Sequence, residues 1–474
     1  VEVSHKRQSI AAVKWAFLGS GGSQIILLIN TLVLARLLDP KDFGLISMLY
    51  IFMSLSSAFV DSGMAGGLVR KQNATQADSS TLFYFNIIVA VLLYLILFLA
   101  APFIASFYQE PKIEVLLRVL SLNIIIGALT LIHKTVLYKE LKVGYVTRAD
   151  LIGSFFAVIA GIISAYMGLG VWSLVILQIT QSFISMCIMS YYSKWKPTFV
   201  FSFESLKEFY SFGLGLFLST FLDVIFKNIY QPIIGKFFGV TYAGLYYQAR
   251  RLYELPISTI SSVVDSVSYP LLVKYQHDRE QLKSSYLRIF KLLIFVSLPI
   301  VMCLSILSED IVTILLTKKW IFSAQLLSIL SFSGIFMILE TINRSLLKIE
   351  GRTKLIFKLE VIKKLAILLV IMTTYKFGMI YLMYGIVFSS MFSFCLNQYY
   401  ASIRLTSFRD VLIILFNGLM MGLVMYIVNT VDMNPFISLF ISISCGAGMY
   451  LFLGFVFKVK EMQTVLSIVK NKLQ

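Results

Sequence analysis

The chain has few of the residues from which soluble enzymes build their chemistry. Its three histidines, His5, His133 and His277, are too scattered to form a catalytic set. Its four cysteines, at 187, 303, 395 and 445, show no zinc or disulfide spacing and read as small packing residues. Only 14% of the 474 residues are charged. There is no Gly-x-x-x-x-Gly-Lys-Ser/Thr loop, which argues against direct ATP hydrolysis. No stretch between apolar runs exceeds roughly twenty residues, which leaves no space for a separate soluble catalytic domain. A membrane glycosyltransferase or polymerase is disfavoured for the same reason. No cofactor is expected. No cleavable leader is expected either, because Gly19 to Gly22 interrupt the first apolar run and Arg36 closes it.

What fills the chain instead is hydrocarbon. Hydrophobic residues make up 58% and the mean hydropathy is +0.85, far outside the soluble range. Apolar runs of bilayer length follow one another at 14–35, 43–64, 82–107, 113–133, 149–168, 171–192, 209–234, 242–270, 287–307, 324–347, 359–375, 379–402, 411–430 and 436–457. The expected fold class is an all-α membrane protein of about fourteen transmembrane helices.

The net charge of +17 first suggests a polyanionic partner. Its distribution gives a different reading. With the N-terminus cytoplasmic, 29 of the 41 Lys and Arg fall in inside segments and seven in outside loops. That is the positive-inside bias. It predicts both termini in the cytoplasm of a multi-pass protein of the inner (plasma) membrane, with no nucleic-acid partner. Trp15 and Trp195 then lie at inner ends of spans, and Trp172 and Trp320 at outer ends, as interfacial anchors.

The chain also states one pattern twice, about 200 residues apart. Arg36, Gly44 and Leu45 return as Lys236, Gly244 and Leu245, and Val60-Asp61-Ser62 returns as Val264-Asp265-Ser266. Leu68-Val69-Arg70 returns as Leu272-Val273-Lys274, and Lys134 and Glu140 fall on Arg344 and Glu350. Six spans per copy is an even number, so the copies are parallel. This predicts pseudo-symmetric lobes at 1–200 and 201–405, with a terminal helix pair and tail at 406–474. A duplicated membrane protein of this kind reads as a transporter.

Ala35-Arg36-Leu37-Leu38-Asp39-Pro40-Lys41-Asp42-Phe43-Gly44-Leu45 resembles an opening signature of bacterial polysaccharide and O-antigen flippases of the Wzx group. Val60-Asp61-Ser62-Gly63, Ala101 to Tyr108, Ile234 to Gly239 and Gly244-Leu245-Tyr246 are similar to that family too. The family lies within the multidrug/oligosaccharidyl-lipid/polysaccharide exporter superfamily. The resemblance implies movement of an undecaprenyl-diphosphate-linked oligosaccharide between leaflets by alternating access. It covers residues 10–400, and the last two helices only by number. One departure concerns Tyr230, where similar proteins often carry Asp.

Five cations remain inside spans: Arg118, Lys227, Arg250, Arg251 and Arg344. A charge at the centre of a bilayer costs about 3 kcal/mol on insertion scales, so such residues face a cavity or a partner. Arg118 is near an outer end and has the alternative of snorkelling. Asp223 and Lys227, Arg250 and Glu254, and Glu340, Arg344 and Lys348 sit at four-residue steps, so each set can pair along one helix face. Arg251 competes with Arg250 for Glu254 and is the leading candidate for an anionic substrate. The acids Asp223, Glu254 and Glu340 are candidates for proton or sodium coupling, against the alternative that they only neutralise the cations. Arginine suits a diphosphate because its planar fork donates parallel hydrogen bonds. Ser20, Ser23, Gln24, Asn30, Thr31, Ser219, Thr220 and Asn228, with Tyr242, Tyr246, Tyr247 and Tyr253, offer hydroxyls, amides and rings to a glycan. The expected partners are the lipid-linked oligosaccharide and membrane lipids, and the chain is read as a monomer. An ion-coupled multidrug exporter and a lipid II flippase are the alternatives within the superfamily. The first wants an acidic cavity, and the second a cluster of first-lobe arginines where only Arg118 is available.

Overall fold

The computed structural model describes residues 22, 26, 29–403, 408–431 and 433–463. Most of the first expected span lies outside them, and so do Trp15, Ser20, Ser23 and Gln24. Among the described residues the chain is helical, with no strands. Two compact units are present, Val1–Gly244 and Leu245–Gln474.

The first unit contains α1 (Pro40–Asp61), α2 (Met64–Arg70), α3 (Gln76–Tyr108), α4 (Lys112–Leu120), α5 (Leu122–Lys139), α6 (Val143–Tyr166), α7 (Trp172–Ser193), α8 (Phe203–Asn228) and α9 (Tyr230–Phe237). Local chemistry sets the starts. Pro40 opens α1 with its ring at the first helical position, and the Asp42 carboxylate accepts from Asp39 N–H at 3.2 Å. Thr75 and Asp78 close a reciprocal box at the start of α3, at 3.2 and 2.8 Å. Met64, Leu68, Leu82, Phe83, Ile132 and Phe209 form a buried cluster that joins α2, α3, α5 and α8. On the far side of α3, Leu92, Leu95, Ile96, Leu99 and Phe103 are exposed at helical spacing. Such a stripe is tolerable only against lipid.

The second unit holds most of α10 (Val240–Val263), whose π-turn at Val264–Ser268 leads into α11 (Tyr269–Lys274). It continues with α12 (Arg279–Ile306), α13 (Ser308–Leu315), α14 (Ile321–Ile349), α15 (Thr353–Thr374), α16 (Met379–Tyr400), α17 (Phe408–Asn429) and α18 (Pro435–Val456). Asp278 caps α12 by accepting from Glu280 and Gln281 N–H at 3.1 and 3.0 Å. Helix α14 packs on α12 and α16, and α17 packs on α12 and α18. A buried polar network ties three of these together. Tyr286 on α12 donates to Asn343 on α14, and both reach Gln398 on α16, each at 3.2 Å.

Eleven helices among the described residues are long and apolar enough to cross a membrane, and they coincide with eleven of the expected spans. Helices α10 and α15 cover two others, but their charges keep them below that apolar threshold. The repeat boundary at 200 and the contact boundary at Gly244 differ because α8 and α9 pack against α1. A repeat is a unit of sequence and a compact unit is one of contacts. Two smaller expectations change. Trp320 is fully buried, so it serves packing and not the interface. Cys187, Cys395 and Cys445 are exposed rather than packed inside.

Candidate substrate and coupling site

The two copies of the repeated motif meet at their glycines. A Cβ on Gly44 would lie 1.9 Å from the Val240 carbonyl oxygen, and a Cβ on Gly244 would lie 1.8 Å from that of Pro40. Residues 40 and 44 correspond to 240 and 244 in the repeat, so the contact is reciprocal. Only hydrogen fits at either position. Gln231 of α9 locks the crossing from the side, donating to Ser47 Oγ at 2.5 Å and to Ala243 O at 2.7 Å. Ser47 passes its own proton to Gly44 O at 2.9 Å. Tyr230, next to Gln231, is buried.

Helix α8 is tied down at its start. Lys71 Nζ lies 2.9 Å from Glu208 and 3.1 Å from Asp78, and Lys139 Nζ donates to Lys71 O at 2.7 Å. The Glu208 carboxylate, ahead of Asp78, holds the Lys71 ammonium above its ordinary value of 10.5. A raised lysine stabilises below that value and ceases to as pH climbs through the folded one, so the tie is intact at neutral pH. At the other end of the α8–α9 run, Lys236 of α9 donates to Phe107 O, its ammonium 4.4 Å from that ring's centroid.

Between these ties α8 exposes Ser219, Thr220, Asp223 and Lys227. They fall at helical spacing on one face of a membrane-length helix. Asp223 has an interaction partner, and Lys227 forms no ion pair among the described residues. A charge exposed at mid-helix is costly against hydrocarbon. Asn228 turns its amide back to Val224 O at 2.9 Å. Arg118 belongs to different surroundings. It pairs with Glu114 at 2.8 Å and stacks on the Phe98 ring at 4.4 Å.

In the second unit, α10 carries the expected pair: Arg250 Nε lies 2.7 Å from Glu254 Oε1, with the arginine side chain 15% exposed. Arg251, read from sequence as a spare cation, has Tyr247 one turn away, its Nη1 donating to the hydroxyl at 3.0 Å. Tyr246 and Tyr253 are buried, whereas Tyr242 is exposed. Beyond Pro256, the hydroxyls of Ser258, Thr259, Ser262 and Ser266 line an exposed side together with Asp265. Each hydroxyl returns its proton to a backbone carbonyl one turn earlier, keeping its oxygen available to accept.

Glu340 of α14 is not held along its own helix. Its partner is Lys363 of α15, at 2.6 Å. Lys363 is 4% exposed and also touches Glu360 at 2.9 Å, while Asn397 of α16 donates to Glu340 at 3.4 Å. Sequence reasoning missed this lysine: the expected span 359–375 contains it, but the charge count took it with the cytoplasmic cations before that span. Helix α15 begins at Thr353, so Lys363 lies well inside it. With Glu340 so engaged, Arg344 is half-buried and forms no ion pair among the described residues, and Lys348 lies over the Tyr269 ring at 6.0 Å. The Ile257–Gly334 contact separates the depths of the two sets: Arg250 and Glu254 precede it, and Glu340 and Arg344 follow it. Among the described residues no cluster of acids, histidines and cysteines has the makings of a metal site.

The family profile described as "Polysaccharide biosynthesis protein" matches residues 33–325. The teichuronic acid biosynthesis protein TuaB of Bacillus subtilis is 26% identical, over 74% of this chain and 73% of its own. The succinoglycan biosynthesis transport protein ExoT of Rhizobium meliloti is 23% identical, over 68% of this chain and 65% of its own. Among solved structures, the lipid II flippase MurJ in its inward closed conformation superposes with a TM-score of 0.76 at 18% identity, covering 94% of this chain and 98% of that one. At that identity the likeness speaks for the fold.

Proposed function

Because the chain belongs to the polysaccharide biosynthesis protein family, we propose that it is a flippase for an undecaprenyl-diphosphate-linked oligosaccharide. It moves this substrate from the cytoplasmic to the outer leaflet by alternating access, for surface polysaccharide or O-antigen assembly. The observation that carries the reading is the α8 face: hydroxyls, an acid and a cation exposed along a membrane-length helix. A polar glycan needs such a wet wall, while its lipid tail stays in the bilayer. The exposed hydroxyls of α10 supply more of the same chemistry.

The diphosphate needs cations that are not already neutralised. Arg250 is engaged by Glu254 and Arg118 by Glu114, which lowers their rank. Arg344 and Lys227 are the cations best placed to donate to phosphate oxygens, with Arg251, which already donates to Tyr247, behind them. Asp223, Glu254 and Glu340 are the acids that could exchange a proton or sodium ion as the lobes rock, and Asp223 is the one on the exposed α8 face. The same neutralisation counts against an acidic cavity for cationic drugs.

In this reading the protein is a monomer of the inner membrane with both termini cytoplasmic. It has fourteen spans, in two six-helix lobes and a terminal pair, and performs no covalent chemistry. Export in a complemented deletion strain tests it. Arg344→Gln and Asp223→Asn are each expected to reduce export at least tenfold at equal protein level. Undiminished export by Arg344→Gln removes that residue, and undiminished export by both removes the cavity assignment.

A further inference from the structure

Outside the proposed path, the second unit contains a cationic cleft of about 670 Å³. One wall is a single face of α12: Ser284, Leu287, Arg288, Lys291 and Leu292. The other is the chain just after α18, where Lys460, Glu461 and Gln463 line the opening. Three cations from two distant parts of the sequence converge there. Glu461, the acid among the lining residues, is 8% exposed, and Asp410 at the start of α17 pairs with Lys291. Counting both acids, the site retains a net positive charge. Deeper in the unit, Tyr450 of α18 donates to Phe295 O of α12 at 2.9 Å, with the two rings tilted at 5.0 Å, so α18 is held against α12.

Cytoplasm-facing cations are expected from the positive-inside bias, and most are simply solvated. This cleft differs in its neighbours. Leu412, Leu415 and Phe416 follow Asp410 on α17 and are exposed, and the Phe416 ring meets that of Phe457 at 6.0 Å. An apolar bed therefore runs from a basic pocket at a helix-bundle edge. A phosphate headgroup in the pocket with acyl chains on the bed satisfies both parts at once.

We propose that the cleft between α12 and the chain following α18 binds the phosphate headgroup of an anionic bilayer phospholipid. The site rests on the cytoplasmic placement of these helix ends but not on the transported substrate. Arg288 and Lys460 reach the phosphate from opposite walls. Lys291 shares its charge between the phosphate and Asp410, and Leu287 and Leu292 meet the glycerol and the first methylenes.

The test is lipid binding by the full-length protein in detergent, read by native mass spectrometry, and it involves no transport. Dioleoyl phosphatidylglycerol is expected to be retained in preference to dioleoyl phosphatidylcholine. The double variant Arg288→Gln/Lys460→Gln is expected to bind the anionic lipid about 30-fold more weakly, equivalent to roughly 2 kcal/mol for two interfacial cations. The charge-conserving Arg288→Lys/Lys460→Arg is expected to bind nearly as wild type, which separates charge from folding. Equal retention of the two lipids overturns the proposal. So does unchanged binding by the neutral double variant, or displacement of the lipid by millimolar inorganic phosphate alone, which would make this a free-phosphate site.

Discussion

Replacing either crossing glycine with alanine puts a methyl group where a backbone carbonyl already lies. The added Cβ would sit 1.9 Å from Val240 O at Gly44 and 1.8 Å from Pro40 O at Gly244. Ordinary contact begins near 3.4 Å, so the two segments must part by about 1.5 Å. A carbonyl in a helix cannot rotate aside as a side chain can. The cost therefore belongs at the upper end of overpacking, about 3 kcal/mol for each single variant. The double variant is the informative one. One parting of 1.5 Å accommodates both methyl groups, so the double should lose about 3–4 kcal/mol and not the sum of roughly 6. The coupling is then about 2–3 kcal/mol in favour of the double. Denaturant unfolding of the purified protein in micelles measures all three. Additive losses refute the shared crossing, and a wild-type midpoint for either single variant refutes the contact itself.

Other outcomes follow from the ion pairs. Lys363→Met leaves Glu340 without its ammonium and Glu360 with Lys364 alone, at 3.8 Å. It should cost about 3 kcal/mol, the low end for a broken buried pair because the carboxylates are 22% and 28% exposed. Adding Glu340→Gln and Glu360→Gln should recover most of that in the same unfolding measurement. At the start of α8, Lys71→Glu should impair export more than Glu208→Lys, since Lys71 also serves Asp78. The exchanged double variant should export better than Lys71→Glu, and failure of that rescue argues against a direct tie. Arg118→Ala should leave export unchanged and stability within about 1 kcal/mol, because its pair with Glu114 is partly exposed.

Much of the fold could be read from the chain because bilayer-length apolar runs admit one solution, a helix. The spans that fell short of the apolar threshold, α10 and α15, carry at least three charges each. Charges blur the ends of those helices: the apolar run of α15 begins at 359 while the helix begins at Thr353, and Lys363 was counted with the cytoplasmic cations although both ranges contain it. Pairing at four-residue spacing found Arg250–Glu254 because both partners share a helix. The same reasoning assigned Glu340 to Arg344, because a sequence cannot display a lysine arriving from the next helix. The repeat marked Gly44 and Gly244 as equivalent scaffold positions. That equivalent residues touch one another is a fact of three dimensions, since matching alone does not imply contact.

The central claim is movement of a lipid-linked oligosaccharide across the membrane, and its most direct measurement is where that lipid accumulates. In cells lacking the gene, lipid-linked repeat units should build up on the cytoplasmic leaflet, inaccessible to a membrane-impermeant sugar-labelling reagent added outside. Restoring the wild-type gene should move them to the outer leaflet and restore surface polysaccharide. Normal surface polysaccharide without the gene, or repeat units already labelled from outside, would contradict the account.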